Sequence, residues 1–408
     1  MNCHRSTTKL ALALTSMAIG LTSQHATPSR IAAAASDYTF ISMPDYWNAD
    51  VGDVSGSPFY VPGLPNSMND AYLAADDFIL STVRAEGAAD ILSVGDFVEG
   101  HWGVDTLATN TFGPVGTSAE KRAAVTLAGD TYYPQVMARF TDHGFILYPG
   151  LGDHEIGDDP WFVKNRGIEA FKYNNMGLFK ATYSRHFMQT APGVFRFRNR
   201  RKAGTAANTA YAVRPTPDVQ LITLDVFRKT TTGIIPELDW GQHSWLANVL
   251  KKATADRVRW IIVQGHTSIV SPVRKFHSSN MVYNRGTASP LWQLLKRYKV
   301  DVYLAGEAHD VTAYYVDGIA HITHGGLAYY GNANYLVGVI SGDTLTFTSK
   351  QFSGTSDWTT GLLWQTDMTK AKPIAVTYTT PPVVVGQMQI TSRNELVYRS
   401  GNLDVYTP

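Results

Sequence analysis

Apolar residues along the chain alternate between two rhythms. Short apolar or β-branched runs at 38–43, 91–94, 145–148, 219–225, 258–263 and 300–304 have the length and composition of buried strands. Between them, apolar residues recur every three or four positions. Such stripes are Tyr72, Ala75, Ile79 and Val83 behind a capping Asn69 or Asp70, then Val136, Met137 and Phe140, then residues 241–253, then Leu291, Leu294, Leu295 and Tyr298 behind Pro290. These spacings predict helices, the first two stopped by Gly87 and Gly144. Helix, strand and loop in alternation predict an α/β layered fold. The Thr- and Val-rich tail from Tyr335 predicts further short strands, and no internal repeat is present.

A polar pattern rides on the apolar one. Four strand-like runs are followed at once by a glycine-led motif: Gly95-Asp96-Phe97-Val98-Glu99, Gly152-Asp153-His154-Glu155, Gly265-His266 and Gly306-Glu307-Ala308-His309. Open sheets place their sites outside the carboxyl ends of strands, so these turns are expected to converge. Together they supply the donors of a two-metal hydrolytic site. Taken singly, each has a bland explanation, because a turn Asp commonly satisfies backbone amides and a lone His is commonly structural. Asp96 has two oxygens with which to bridge two ions. Asp153, His154 and Glu155 are three ionisable residues in a row behind an apolar strand, an expensive arrangement unless they are used. Asp153 can ligate, His154 can protonate a leaving oxygen, and Glu155 can orient the imidazole. Glu307 and His309 stand two apart, so in an extended stretch they face the same way. His324 reads as a cleft residue and His321 as structural; His101, His143, His186, His243 and His277 read as structural or exposed. No Gly-x-Ser-x-Gly elbow or phosphate-binding P-loop occurs, and Gly150-Leu151-Gly152 lacks the third glycine of a dinucleotide fingerprint.

Composition narrows the classes. At 408 residues and 44% apolar content the chain can bury one large core with an appendage. Its net charge of +1 and 17% charged residues argue against a nucleic-acid partner. His4, Arg5 and Lys9 precede an apolar stretch at 10–21, with Ala-x-Ala options at 32–35, so residues 1–35 read as a signal peptide. The expected product is exported, periplasmic or extracellular, with no membrane span in the mature chain. The one cysteine, Cys3, lies in that leader, which excludes cysteine nucleophiles, thiolate-bound zinc and iron–sulfur clusters from the mature protein. An insertion is expected at about 157–236. Its aromatic and basic stretch 195–202 reads as a solvated β-hairpin in preference to a phosphate-binding rim. Substrate walls are expected from this insertion and from Trp102, Trp161 and Tyr329.

In these motifs the chain resembles the calcineurin-like metallophosphoesterase superfamily, which includes the purple acid phosphatases. The family pattern runs Asp-x-His, Gly-Asp-x-x, Gly-Asn-His-Glu/Asp, Gly-His and Gly-His-x-His. The likeness spans about residues 38–352, and Gly241-Gln242-His243-Ser244-Trp245-Leu246 is similar to the helix before the third metal-binding turn. The resemblance implies a four-layer α-β-β-α sandwich of two mixed sheets over residues 36–352, with a small strand-rich extension over 353–408. It implies two divalent or trivalent metal ions. Asp96 becomes the bridging ligand; Asp153, His266 and Glu307 hold one ion; Asp45 and His309 hold the other; His154 is the proton donor. The implied reaction is hydrolysis of a small phosphorylated substrate, a phosphate mono- or diester, by a metal-bridging hydroxide.

Departures from the pattern carry chemistry. Asp153 stands where the family has Asn and Glu307 where it has His, so the site favours Mn, Fe, Mg or Ca over Zn. Asp45-Tyr46-Trp47-Asn48 lacks the His of the first motif. Asn48 can supply an oxygen, and Asp50-Val51-Gly52 resembles an alternative Asp-x-Gly form. Glu99 occupies the place of the tyrosine that colours purple acid phosphatases, so no such colour is expected. The same departures leave open a non-catalytic binding protein with degraded metal sites.

Overall fold

The computed structural model describes residues 37–104, 109–158, 161, 168–279, 281–357, 359 and 375–404. The leader at 1–35, with Cys3, lies outside the described residues.

Two mixed β-sheets form the centre. The first runs in the order β19 (Leu396–Gly401), β18 (Val383–Thr391), β16 (Thr344–Ser356), β15 (Asn332–Ser341), β1 (Tyr38–Ser42), β2 (Asp90–Ser93) and β3 (Ile146–Pro149), with β17 (Val376–Tyr378) also paired to β16. β1, β2 and β3 are parallel to one another, while β1 meets β15 antiparallel. The second sheet runs β13 (Thr312–Val316), β14 (Ile319–Thr323), β12 (Val302–Ala305), β11 (Trp260–Gln264), β8 (Val219–Thr223), β7 (Tyr211–Thr216) and β6 (Asn199–Arg200). Here β14, β12, β11 and β8 are parallel. Every residue of β2, β8, β11, β12 and β14 is buried, which is why these strands read as apolar runs without alternation. Two short hairpins, β4 (Gln189–Ala191) with β5 (Val194–Phe195) and β9 (Phe227–Lys229) with β10 (Ile234–Pro236), complete the strands described.

Helices cover the sheets to make four α-β-β-α layers. α1 (Asp70–Arg84) is capped by the Asn69 side chain on the amides of Ala71 and Tyr72, and buries Tyr72, Ala75, Ile79 and Val83. Asp76 is buried on the same face because it accepts from Tyr46 Oη (2.5 Å) and Trp47 Nε1 (3.1 Å). α2 (Ser118–Asp142) starts at a Thr117–Glu120 capping box and holds Pro134 in its interior. α4 (Trp240–Ala255) and α5 (Pro290–Arg297) sit where the apolar spacing puts them, capped by Asp239 and Ser289. α3 (Ile168–Phe187) was not foreseen. Its buried set includes Lys172, Lys180, Thr182 and Ser184 beside aromatic residues, so no single apolar stripe marks it. Lys180 is tolerated inside because Asp225 lies 2.6 Å away and the carbonyls of Thr205 and Phe227 accept its remaining protons.

The expected hairpin at 195–202 does not form. β5 pairs back to β4 and β6 pairs onward to β7, so the stretch divides between two ladders. Arg200 lies 3.5 Å over the Phe195 ring, which explains its mixed basic and aromatic composition. The tail strands β18 and β19 extend the first sheet through β16. Between the sheets, Gln264 Nε2 donates to the Tyr148 carbonyl (3.1 Å) and Tyr211 Oη to the Pro149 carbonyl (3.1 Å). These bonds align the carboxyl ends of β3 and β11.

Asn394, in the turn between β18 and β19, donates to Asp301 Oδ1 (3.2 Å) and to the Gly318 carbonyl (3.1 Å), joining the tail to the second sheet. Asp301 also accepts from Ile261 N (2.7 Å). Burial pushes its carboxyl up to about 8. The folded state therefore favours the protonated acid, and this contribution is full below the unfolded value near ~4 and lost as pH rises to about 8. Thermal unfolding at about pH 5 and about pH 8.5, on either side of that value, tests this. Relative to wild type, Asp301→Asn should gain several degrees of Tm at the higher pH; an equal difference at both would contradict it.

Candidate metal centre

Five parallel strands end on the same side of the sandwich, and the turn after each carries a candidate residue. Asp45 follows β1, Asp96 follows β2, Asp153 and His154 follow β3, His266 follows β11, and Glu307 and His309 follow β12. The turns are tight. Asp45, Asn48, Asp96, Glu307 and His309 all have left-handed backbone, with φ of 53°, 48°, 58°, 68° and 55°. Non-glycine residues enter that region at a cost of order 1–3 kcal/mol, and such strain clusters at functional sites. Glu307 and His309 are thus not in extended backbone, and the turn sends them to different ends of the centre. Glycines lead the motifs because carboxylates press on the neighbouring loops. A Cβ at Gly152 would lie 2.0 Å from Asp96 Oδ1, and one at Gly306 2.6 Å from Asp45 Oδ2.

The donors fall into two groups joined by Asp96. Asp45, Asp96 and His309 bring ligand atoms within 4.8 Å of one another, as do Asp153, His266 and Glu307. His266 Nε2 is 3.5 Å from Asp96 Oδ1, 2.9 Å from Asp153 Oδ1 and 3.5 Å from Glu307 Oε2. His309 Nε2 is 3.8 Å from Asp45 Oδ1 and 3.5 Å from the Asn48 amide. All seven residues are buried. Yet Asp45 Oδ2, Asn48 Oδ1, Asp96 Oδ2, Asp153 Oδ1 and His266 Nε2 have no hydrogen-bond partner; the His266–Asp153 approach is close but lacks hydrogen-bond alignment. Buried polar atoms are rarely left this way, so a convergent set of them fits cations.

Electrostatics point the same way. Burial pushes the Asp96 carboxyl well above its ordinary value; His266 pulls it back, and the Asp153 and Asp45 carboxylates add to the rise. Burial likewise raises Asp45. Burial opposes protonation of His266, but Asp96, Asp153, Glu307 and Asp45 together hold it well above the usual imidazole range. Asp153 alone among these carboxyls is lowered: its burial is outweighed by His266 and His154. Cations seated among these carboxylates would offset the burial and repulsion that raise Asp96 and Asp45.

Surrounding groups aim the donors. His266 Nδ1 donates to the Val94 carbonyl (3.0 Å), and His309 Nδ1 to the carbonyls of Phe276 (2.9 Å) and His277 (3.2 Å). Both imidazoles therefore turn Nε2 toward the carboxylates. Glu307 Oε1 accepts from Ser279 Oγ (2.5 Å), Ser278 Oγ (3.0 Å) and Met281 N (3.2 Å), leaving Oε2 for the centre. Glu155 does not orient His154. Its carboxylate takes the amides of Asp96 (2.9 Å), Phe97 (2.9 Å) and Gly152 (2.7 Å), so it ties two motif loops together. His154 Nδ1 instead meets the Glu99 carbonyl (2.6 Å), and its Nε2 lies 3.9 Å from Asp96 Oδ2. Burial disfavours its charged form, but Asp96, Asp158, Asp153 and Glu99 outweigh that and raise it well above the usual range.

Several residues move from their expected places. Asp50 is outside the donor groups; it accepts from the amides of Glu99 (3.0 Å) and Gly100 (3.3 Å) and from Trp102 Nε1 (3.0 Å). Trp102 is fully buried, stacked between Tyr132 and Phe179, and forms no wall. Trp161 is partly buried, with its ring 6.0 Å from Phe227. His324 is buried behind β1 on Ser42 Oγ (2.8 Å), with burial lowering it to about 3, and is no cleft residue. His321 is structural, accepting from Ile269 N (2.9 Å). His101, expected to be structural or exposed, pairs with Asp158 and lies nearly parallel to His154 with centroids 6.4 Å apart. His101, Asp158, Ser278 and Ser279 carry no local sequence signal, because their roles depend on loops meeting.

No protein-family model matches this sequence, and no curated protein is similar to it. Solved structures are. PhoD superposes with a TM-score of 0.52 at 11% identity, covering 91% of this chain and 74% of its own. A dimetal phosphatase from Danio rerio gives 0.45 at 14% identity over 76% of this chain and 95% of its own. A purple acid phosphatase from yellow lupin seeds gives 0.47 at 11% identity over 78% of this chain and 52% of its own. With two facing mixed sheets, helices outside them and the donor turns at one end, this chain has the calcineurin-like metallophosphoesterase fold.

Proposed function

We propose that this chain is an exported, metal-dependent phosphoesterase that hydrolyses phosphate mono- or diesters of small molecules. One observation carries the reading: six ionisable residues from five separate turns converge, and four of them, Asp45, Asp96, Asp153 and His266, present buried atoms without hydrogen-bond partners. Asp45 and His309, with Asn48 beside them, would hold one ion; Asp153, His266 and Glu307 the second; Asp96 would reach both. Two cations there would activate water as the nucleophile and neutralise charge on the transferring phosphoryl group. The donor set is rich in carboxylates, with two imidazoles and no thiolate, which suits Mn, Fe, Mg or Ca better than Zn.

His154 takes the role of general acid. Its Nδ1 is committed to the Glu99 carbonyl, so Nε2, on the Asp96 side, is the nitrogen that carries the transferable proton. The surrounding carboxylates favour the protonated ring that an acid requires. Export rests on the basic and apolar leader pattern at 1–35. No helix among the described residues is long and apolar enough to cross a membrane.

Three outcomes test the reading. Elemental analysis after incubation with Mn, Fe or Zn should find about two ions per chain. Fewer than about one for every metal tried would favour a binding protein with degraded sites. With metal loaded, His154→Ala should lower kcat on phosphate esters by about a hundred- to ten-thousand-fold while metal content holds. Replacing both hydroxyls that hold Glu307, as Ser278→Ala with Ser279→Ala, should weaken Mn binding by about ten- to a hundred-fold in a titration of the metal-free protein.

A further inference from the structure

Four buried carboxylates meet at the metal centre, those of Asp45, Asp96, Asp153 and Glu307. Among the described residues, every ion pair they form is with an imidazole, and none is with arginine or lysine. Their other partners are neutral. Glu307 Oε1 accepts from two hydroxyls and an amide, Asp45 Oδ1 accepts from Glu307 N (3.2 Å), and His154 N approaches Asp96 Oδ1 (3.4 Å). The same fold does match a buried carboxylate with a lysine elsewhere, at Asp225 and Lys180, 2.6 Å apart. Two divalent ions would therefore be cancelled by the carboxylates that hold them, with no positive charge left over.

The leaving-group side is matched in the same way. His154, as proton donor, stands there with Glu99 and Asp158, their ligand atoms within 4.8 Å. His101 lies between these carboxylates, its Nδ1 3.6 Å from Glu99 Oε1 and its Nε2 paired with Asp158. Burial would raise the Asp158 carboxyl, but His154, His101 and Lys172 together hold it well below the ordinary value. Positive charge on this side is thus already met by carboxylates of the protein. A phosphate monoester is largely a dianion near neutral pH, whereas a diester is a monoanion. The second charge of a monoester finds no unmatched cation here among the described residues, and it meets the field of the surrounding carboxylates.

We propose that the substrates are phosphate diesters in preference to monoesters, selected by a site whose own carboxylates use up the charge of its two ions. The proposal rests on the phosphoesterase reading and narrows it. In the reaction a water oxygen bonds to phosphorus as the bond to one alcohol breaks. That alcohol takes the proton of His154, and a proton from the water restores the imidazolium. The product monoester then loses its remaining proton to solvent, gains a charge, and is held less tightly than the diester was.

Methyl para-nitrophenyl phosphate and para-nitrophenyl phosphate share a leaving group and differ by a methyl in place of one negative charge. On the Mn-loaded protein at about pH 8.5, kcat/KM should be higher for the diester by about tenfold. A value equal or greater on the monoester would overturn the proposal. Dimethylphosphinate, a monoanion, and methylphosphonate, a dianion, make the comparison without turnover, because neither has an ester bond. Calorimetry should find the phosphonate favoured by no more than about tenfold, and a larger advantage would overturn the proposal. Asp153→Asn, with its Mn content measured, should shift the affinity ratio toward methylphosphonate by about tenfold. An unchanged ratio in a variant that keeps its metal would also overturn it; where metal is lost, the wild-type comparisons decide. If the monoester turns over faster, the phosphoesterase reading stands without this one. If neither ester turns over, both fall together.

Discussion

Crowding of negative charge in a dry interior is the constraint on which the rest of this structure depends. Asp45, Asp96, Asp153 and Glu307 are all buried and face one another across a few ångström, with two imidazoles among them. Each carboxylate loses hydration, and mutual repulsion adds to that loss. The imidazoles answer part of the charge, since His266 reaches three of the four carboxylates, Asp96, Asp153 and Glu307, within 3.5 Å. Asp45 Oδ2, Asp96 Oδ2 and Asp153 Oδ1 have no hydrogen-bond donor, and cations would complete the balance.

Holding such a cluster requires backbone that would not adopt these shapes by itself. Five site residues are held at positive φ, and two glycines admit carboxylates at distances no Cβ allows. The two sheets supply the rigidity. Parallel strands β1, β2 and β3 present three turns side by side, and β11 and β12 present two more from the facing sheet. Glu155 then fastens the turns after β2 and β3 with three amide hydrogen bonds, and His266 Nδ1 ties the β11 turn to Val94 across the sandwich. The loop 276–279 adds a cap that sets the tautomer of His309 and the orientation of Glu307. The same short loop carries Phe276 and His277, whose rings meet Tyr330.

Much of the layered fold was legible in sequence, for a reason particular to this architecture. Central parallel strands are buried on both faces and read as plain apolar runs, and surface helices such as α1 and α5 show a clear stripe with polar caps. Legibility failed where burial stopped following a period. α3 buries two lysines and several small polar residues on the same helix, so it has no stripe to find. The stretch 195–202 looks like one hairpin but divides its hydrogen bonds between β4 before it and β7 after it. Trp102 and His324 looked suited to a cleft by their placement, yet both turn into the core, Trp102 onto Asp50 and His324 onto Ser42.

The sequence by itself determined which residue types stand at the ends of strands: a carboxylate or imidazole preceded by glycine, at turns that the apolar rhythm marks. That information is local, because strand ends and tight turns are set by neighbours in the chain. Only the tertiary structure decided which of those donors face one another, that Glu155 braces backbone and does not orient His154, and that His101 and Asp158 stand beside it. It also brought Ser278 and Ser279 onto Glu307 and His277 onto Tyr330. These are contacts between segments separated by 28 or more positions in sequence, and their geometry follows from how two sheets pack, which no short-range pattern of residues encodes.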